Sequence, residues 1–337
     1  MEDVGKAAGA NQTPGERTMA DVHRLATERP LAWEPFLIQG AIALKSGDYA
    51  RAEPLIRSAR QRAPRSPAAR FLLAESYLET DRPVEAMTEM AVLNRLVPAA
   101  SAQLAPALAE YARSPGAIPR IRTILTSYPE LETPLLAKLS WDPKNTDLIL
   151  ALATTSPTTG PPPDWQRLLL TTLVNDGQYD RAYAIWRKFS GAPDLRGGFY
   201  NPTFADKAAP APFNWEFAQG AGGVAEAGEN GLQVLYFGRD SVALATQVLI
   251  LPPGRYRLQV TASGNIASDS GIGWRAVCLP SQRSVLTLPL RSGAVSGEFE
   301  VPVDCGAQRI MLAADAPDVP QSADFRVSDL ELTRIPS

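Results

Sequence analysis

The chain has 337 residues, enough for two domains or for one domain beside a repeat array. Hydrophobic residues make up 45% of it and charged residues 20%, which is typical of a globular protein. The formal net charge of -3 offers no basic field for phosphates, so nucleic acid is not an expected partner. The single histidine, His23, excludes a zinc site of several histidines and gives no support for a Ser-His-Asp triad.

Residues 1–30 are predicted to be a flexible N-terminal segment. They lack the basic start and the apolar core of a signal peptide. No stretch of the chain approaches the roughly 20 apolar residues that span a membrane. We therefore expect contact with a membrane only if a signal or an anchor precedes Met1.

The N-terminal half contains two similar stretches, 33–64 and 67–98, which align position by position. Small residues recur where two helices of a hairpin would cross, and a proline ends each stretch. The aligned pairs are Gly40 and Ala74, Ala43 and Tyr77, Ala52 and Ala86, and Pro64 and Pro98. This pattern resembles the tetratricopeptide repeat (TPR). The resemblance implies an α-solenoid of helical hairpins whose curved surface binds a protein partner.

A further copy of the pattern lies later in the chain. The stretch GDYARA at 47–52 recurs as GQYDRA at 177–182, with Gly177 and Ala182 in the corresponding places. Residues 101–160 carry only fragments of the pattern. We therefore predict a TPR-like helical domain over 31–196. The alternative is that its hairpins only pack on the C-terminal domain and bind nothing else.

The composition changes after residue 196. Residues 197–212 are rich in Gly, Pro and Ala, as in a linker or an extended strap. From 213 to 337, hydrophobic residues alternate with period two, which predicts an antiparallel β-sandwich or jelly roll. The strand 255–262 should bury Tyr256, Leu258, Val260 and Ala262 on one face, and should form a hairpin with 245–251 through Pro252, Pro253 and Gly254. Further strands are predicted at 271–278, 298–305, 308–313 and 325–335.

The order of these segments resembles the galactose-binding-like and carbohydrate-binding-module jelly rolls. The segments that carry the resemblance are 213–217, 232–238, 251–260, 273–278, 299–305 and 325–335. The resemblance implies a sandwich that can bind carbohydrate. Together with TPR repeats, it implies a role in the assembly or export of an envelope polysaccharide, which makes a polysaccharide the second candidate partner.

A sugar site needs an exposed aromatic ring flanked by polar groups, because pyranose faces are apolar and their rims carry hydroxyls. The candidates are Tyr200, Trp215, Tyr236, Phe237, Arg239 and Asp240. Trp274 is in phase with Ile272 and Ala276 and is predicted to lie in the core. Trp215 is in phase with Phe213 and Phe217, which favours a core position for it as well.

Tyr236 and Phe237 point to opposite faces of one strand, so one of the two rings should be exposed. Arg239 and Asp240 follow them directly. These two residues could hydrogen-bond sugar hydroxyls or form a salt bridge in a turn.

The only two cysteines, Cys278 and Cys305, fall on apolar strand faces at predicted strand ends. One interpretation is a disulfide in an oxidising compartment, the periplasm or the cell envelope. The other is a pair of thiols in the cytoplasm, which fits the missing signal peptide.

We expect no enzyme activity, no cofactor and no metal. The rival is a carboxylate-dependent enzyme acting on glycosides, because Glu298 and Glu300 share one strand face. A second rival is a purely structural, protein-binding β-domain.

Overall fold

The computed structural model describes most of the chain and divides it into two compact units. The residues that it describes are 24, 27–97, 100–154, 161–195, 197–267, 270–316 and 318–336. The first unit holds the described residues up to Leu139 together with Lys144–Thr154, and the second holds Ser140–Pro143 and the described residues from Pro161 on. Helices are followed by antiparallel sheets, so the predicted fold class is confirmed.

The first unit is built from helical hairpins. Its helices are α1 (Glu34–Lys45), α2 (Tyr49–Arg62), α3 (Pro67–Glu79), α4 (Pro83–Leu96), α5 (Ala100–Ala112), α6 (Ala117–Ser127), α7 (Glu132–Leu139) and α8 (Thr146–Leu152). Local chemistry fixes where two of them begin. The Asp48 carboxylate accepts a hydrogen bond from the Arg51 amide at the start of α2, and the Ser66 hydroxyl accepts one from the Ala69 amide at the start of α3.

The second unit begins with another helical hairpin, α9 (Asp164–Asn175) and α10 (Tyr179–Ser190). A strap, defined here as residues 197–215, connects this hairpin to the strands. Phe199 and Phe204 of the strap are buried in the same core cluster as the strands. The domain limits drawn from the sequence stay a prediction. No helix among the described residues is long and apolar enough to cross a membrane.

The strands form two antiparallel sheets that share one hydrophobic core. They are β1 (Glu216–Phe217), β2 (Gln219–Gly220), β3 (Gly223–Gly228), β4 (Gly231–Tyr236), β5 (Val242–Leu249), β6 (Gly254–Asn265), β7 (Ile272–Leu279), β8 (Ser284–Pro289), β9 (Gly293–Val301), β10 (Ala307–Ala314) and β11 (Ala323–Ile335). The first sheet has the order β1-β5-β10-β7-β8 and the second β2-β3-β4-β11-β6-β9. The last strand therefore lies inside its sheet, between β4 and β6.

Period-two alternation correctly identified the inner faces of the strands. Tyr256, Leu258, Val260 and Ala262 of β6 are all buried, as predicted. Trp274 of β7 is also fully buried, which confirms its predicted place in the core. These side chains meet in the layer between the two sheets, as in other aligned sandwiches.

Two strand assignments from the sequence are wrong. The segments 245–251 and 255–262 do not form a hairpin, because β5 pairs with β1 and β10 whereas β6 pairs with β11 and β9. Pro252 and Pro253 carry the chain from one sheet to the other instead of turning it back. The strand predicted at 298–305 ends at Val301, so Cys305 lies in the turn before β10.

One short segment, Glu216–Gly220, joins the two sheets at the edge of the sandwich. Its first half pairs with β5 and its second half with β3. At its centre the Ala218 amide donates to the Leu244 carbonyl, and the Ala218 carbonyl accepts from the Ala225 amide. This crossing segment leaves only two-residue strands at that edge of each sheet, which limits the backbone available for pairing with another chain.

Candidate functional site

The TPR-like signature residues lie where the helices of the first unit cross. Gly40 lets α1 and α2 approach so closely that a Cβ atom there would lie 2.5 Å from Cγ1 of Ile56. Most of these signature residues are buried. Those that are buried are Gly40, Ala43, Ala52, Ala74, Tyr77 and Ala86. Pro64 is exposed after α2, and Pro98 lies outside the described residues.

The last hairpin uses the same local geometry. Gly177 adopts φ +78° in the turn between α9 and α10, a conformation that favours glycine. Ala182, one turn into α10, is fully buried. The recurrence of the motif therefore correctly indicated a second region of hairpins.

A buried carboxylate links the first two hairpins. Glu89 of α4 accepts hydrogen bonds from Arg60 of α2 and, at 2.7 Å, from Arg70 of α3. Only 4% of the Glu89 side chain is exposed, and the two guanidinium groups pair with its carboxylate there. Because three helices meet at one carboxylate, the relative position of the two hairpins is fixed.

One face of α3 stays accessible beside this link. Phe71, Glu75 and Glu79 follow each other at four-residue spacing and so share that face. Phe71 and Glu75 are half-buried and Glu79 is exposed. Helix α3 also lies against α1 and α5, the first helices of the neighbouring hairpins. The three residues therefore sit in the middle of a layer of three helices, and we call them the α3 face.

The α3 face is acidic at one end. Burial and, second, the nearby Glu79 carboxylate raise the pKa of Glu75 above its ordinary value. The Tyr49 hydroxyl donates a hydrogen bond to Glu79 across 3.5 Å. An apolar ring beside a half-buried carboxylate can contact a protein partner with both apolar and basic groups. Sequence reasoning missed this face, although the four-residue spacing on a helix was available as a signal.

Two of the predicted sugar-stacking rings are in the core. Trp215 is 6% exposed, packs on Trp274 at a centroid distance of 5.9 Å, and donates its Nε1 hydrogen to the Asn201 carbonyl. Tyr236 is fully buried, with its hydroxyl within hydrogen-bonding distance of the Asp240 and Asp315 carbonyls. Both side chains are buried, so their burial gives no support to a stacking role at these two residues.

Tyr200 has a structural environment too. Its ring meets Trp186 edge-on at 4.9 Å, and its hydroxyl hydrogen-bonds the Asp206 carboxylate. Burial and, second, this carboxylate raise the pKa of Tyr200 to about 12. The Tyr200 hydroxyl therefore stays protonated and bound within the strap.

The remaining sugar candidates lie at the end of β4. Phe237 is half-buried and is the more exposed of the two neighbouring rings, since Tyr236 is buried. Arg239 and Asp240 are exposed. Of the six candidates, two lie in the strap and four at the end of β4 or in the turn after it. The role of Phe237, Arg239 and Asp240 in sugar binding stays a prediction.

Cys278 and Cys305 form a disulfide, with the Cα atoms 5.2 Å apart. The bond ties the end of β7 to the turn before β10, and both sulfur atoms are buried in the sandwich core. The next residue, Gly306, lies against the last hairpin, because a Cβ atom there would come within 3.0 Å of the Tyr179 ring. The disulfide therefore holds the turn on which α10 begins to pack.

The two glutamates of the rival enzyme hypothesis lie on an open strand face. Glu298 accepts hydrogen bonds from Arg255 at 2.9 Å and from Arg257 at 2.6 Å. These arginines, Arg257 first, lower the pKa of Glu298. A lowered pKa is the opposite of what a general acid needs in glycoside hydrolysis. Within the described residues no group of three or more His, Cys, Asp or Glu side chains is suited to hold a metal ion.

Comparison with known proteins identifies the helical repeats. Residues 43–113 match the tetratricopeptide repeat. The match begins near the end of α1 and runs through α2, α3 and α4 to the end of α5. No curated protein matches this chain.

Several solved structures have limited similarity to the chain. One, a family 61 carbohydrate-binding module in complex with β-1,4-galactotriose, has 17% identity and a TM-score of 0.27, over 42% of this chain and 97% of that one. Accessory secretory protein 1, 2 and 3 of Streptococcus pneumoniae has 10% identity and a TM-score of 0.26, over 43% of this chain and 99% of that one. The glycosylation-associated protein complex of Streptococcus agalactiae has 17% identity and a TM-score of 0.26, over 36% of this chain and 42% of that one. None of these similarities bears on function.

Proposed function

We propose that this protein is a non-enzymatic scaffold that binds a protein partner through the tetratricopeptide repeats. The observation that carries the proposal is the α3 face, in which Phe71 and Glu75 are half-buried beside neighbouring helices. The ion link through Glu89 holds the hairpins in register, so the face needs little ordering when a partner docks.

Capture of partners by the immobilised full chain tests this proposal. Proteins from an extract of the producing cells are quantified by mass spectrometry on the wild type and on the double variant Phe71→Ala, Glu75→Lys. We expect the variant to lose the specific partners. The matched control is Val84→Ala on α4, which is 53% exposed but lies outside the α3 face. If the α3 variant keeps the same partners with unchanged helicity, the proposal fails.

We also propose that the sandwich binds carbohydrate, in an envelope protein that assembles or exports a polysaccharide. The envelope location has chemical support. The disulfide between Cys278 and Cys305 is of a kind that persists in oxidising compartments, the periplasm among them. Thiol counting on the denatured, unreduced protein from its own cells should find no free thiol. Two free thiols would support the cytoplasmic alternative.

The enzyme alternative is tested at Glu298. Because two arginines hold this carboxylate ionised on an exposed face, we propose that it has no catalytic role. Glu298→Gln should leave any turnover of a polysaccharide panel unchanged. A turnover that this substitution abolished would support the glycoside-acting enzyme instead.

A further inference from the structure

A cleft of about 590 Å³ opens at the edge of the sandwich, inside the second unit. Three parts of the chain form its walls: the first turn of α9, the strap from Asp206 to Ala211, and the crossing segment with the neighbouring β3. This volume lies in the range of roughly 300–1,000 Å³ that small-molecule sites occupy. Neither the α3 face nor the turn after β4 contributes to it.

Apolar groups line much of the cleft. The ring of Phe217 is half-buried and packs on Phe204 at a centroid distance of 6.3 Å, which holds it in position. Pro210 and Ala211 of the strap and Ala227 of β3 extend the apolar lining. A flat aromatic ring with small apolar neighbours suits the apolar face of a sugar ring.

Polar groups of both charges surround this lining. Four carry carboxylates (Asp164, Asp206, Glu216 and Glu226), two carry basic groups (Arg167 and Lys207), and Gln219 adds an amide. Arg167 and Glu216 approach within 3.8 Å and so partly neutralise each other. Gln219 donates an Nε2 hydrogen to the Ala225 carbonyl, and the oxygen of its side-chain amide adds an acceptor to the rim.

The mixture of acidic and basic side chains around the cleft indicates which class of ligand it can bind. A strongly charged ligand would meet like charges somewhere on the rim, whereas neutral hydroxyl groups can donate to the carboxylates and accept from Lys207 or Arg167. The carboxylates outnumber the basic groups, so an acidic sugar is the least suited. We propose that this cleft binds a short, neutral oligosaccharide, with one sugar ring against Phe217 and its hydroxyls on Glu226 and Asp164.

This inference rests on the proposed carbohydrate binding by the sandwich and specifies its place and its charge preference. It also gives the last helical hairpin a direct part in recognition. Asp164 and Arg167 belong to α9, so one wall of the sugar site comes from a helix that the sequence pattern grouped with the repeats.

Calorimetric titration of the full chain tests the inference. The probes are the neutral trisaccharides cellotriose, maltotriose, mannotriose and triacetylchitotriose, with trigalacturonic acid as the acidic comparison, each at millimolar concentration. We expect at least one neutral trisaccharide to bind and trigalacturonic acid to bind at least tenfold more weakly. Equal binding of the acidic and neutral trisaccharides would overturn the charge preference.

Variants locate the site. Phe217→Leu keeps apolar volume under the cleft but removes the flat ring, and Glu226→Gln removes one charged acceptor; each should weaken binding about tenfold. The control variant, Arg239→Ala, Asp240→Ala in the turn after β4, tests the alternative sugar site and should bind as the wild type does if the cleft is the site. If only the control variant loses binding, the cleft is refuted and carbohydrate binding by the sandwich stands. If no neutral trisaccharide binds the wild type, both are refuted, whereas partner capture through the α3 face is unaffected.

Discussion

The first and last helical hairpins share a sequence motif but pack on different surroundings. Ala52 in α2 and Ala182 in α10 are both fully buried at the helix crossing. In α2 the next residue is Glu53, which pairs at 2.7 Å with Arg82 in the turn between α3 and α4 of the next helical hairpin. In α10 the next residue is Tyr183, whose ring meets Phe213 of the strap at 5.4 Å.

The difference shows which residues select the neighbour of a hairpin. The small residues and the turn glycine specify that two helices fold back on each other. The residues beside them contact what each hairpin docks on: the charged Glu53 pairs with the next repeat, and the aromatic Tyr183 packs on the strap. The corresponding residues one turn later differ in size, because Ile56 of α2 corresponds to the much larger Trp186 of α10.

The sharpest test of this comparison is Trp186→Ala. The indole contacts Tyr183, Tyr200 and Phe213, and its Nε1 donates to the Pro210 carbonyl across 3.0 Å. Removing it should lower the free energy of unfolding of the second unit by about 3–5 kcal/mol, because a large cavity replaces the ring. The measurement is a guanidinium titration of the full chain followed by near-ultraviolet circular dichroism.

Trp141→Ala is the matched control for this substitution. Its side chain is 69% exposed, so we expect a loss below about 0.5 kcal/mol. Similar losses for the two tryptophans would contradict the docking of α10 on the strap and the sandwich.

The link between the first two hairpins should be sensitive to a single charge. Glu89→Gln keeps the side-chain shape but leaves Arg60 and Arg70 without their shared carboxylate. We expect the first unit to lose about 3 kcal/mol, read from urea unfolding by far-ultraviolet circular dichroism. Glu85→Gln on the same helix breaks only an exposed pair with Arg82 and should cost below about 0.5 kcal/mol. Equal losses would mean that Glu89 is not the link.

Gly40→Ala probes the close crossing of α1 and α2. The added Cβ would lie 2.5 Å from Cγ1 of Ile56, so overpacking should cost about 1–3 kcal/mol. Helix propensity returns roughly 1 kcal/mol, which leaves a net loss of up to about 2 kcal/mol. In a double-mutant cycle, Ile56→Ala should remove part of this cost, because it deletes the clashing atom. Strict additivity of the two changes would argue against the clash.

The smallest effect concerns the α3 face and pH. The pKa of Glu75 is raised in the folded chain, so its favourable contribution is complete below the unfolded value of 4.5 and is lost as pH rises through the folded pKa. Glu75→Gln should remove that loss and stabilise the first unit relative to the wild type above pH 4.5. The gain should stay below about 0.5 kcal/mol, since water screens a half-exposed group. A difference between the two proteins that does not vary with pH would contradict this origin.

The sequence predicted which segments form helices and strands better than it predicted which strands pair with each other. Period two revealed the inner face of β6, and the small residues around Gly40 revealed the first hairpins, because both signals act between neighbours in the chain. The false hairpin between 245–251 and 255–262 arose because Pro252 and Pro253 break pairing equally well in a turn and in a crossover between sheets. Strand order depends on contacts between distant residues, which no local pattern records.

The candidate site was harder to predict for the same reason. Aromatic residues were proposed as a sugar platform from their type, but Trp215 and Tyr236 were needed to fill the core. The cleft at the edge of the sandwich combines the strap and the crossing segment with α9, which α10 separates from them in the chain. Glu226 and Lys207 carry no pattern that marks them in advance. Only the folded arrangement brings them together around Phe217.

The position of β11 inside its sheet has a consequence for how the protein is made. Both β4 and β6 pair with β11, which leaves the ribosome after the other ten described strands. Until then these two strands lack a shared neighbour, and the six-stranded sheet stays in two pieces. The helical repeats can fold during translation, because their contacts are local, whereas the sandwich must wait for its final strand. Premature termination before β11 would leave two open strand edges and an uncovered core, a product suited to aggregation and to rapid removal by proteases.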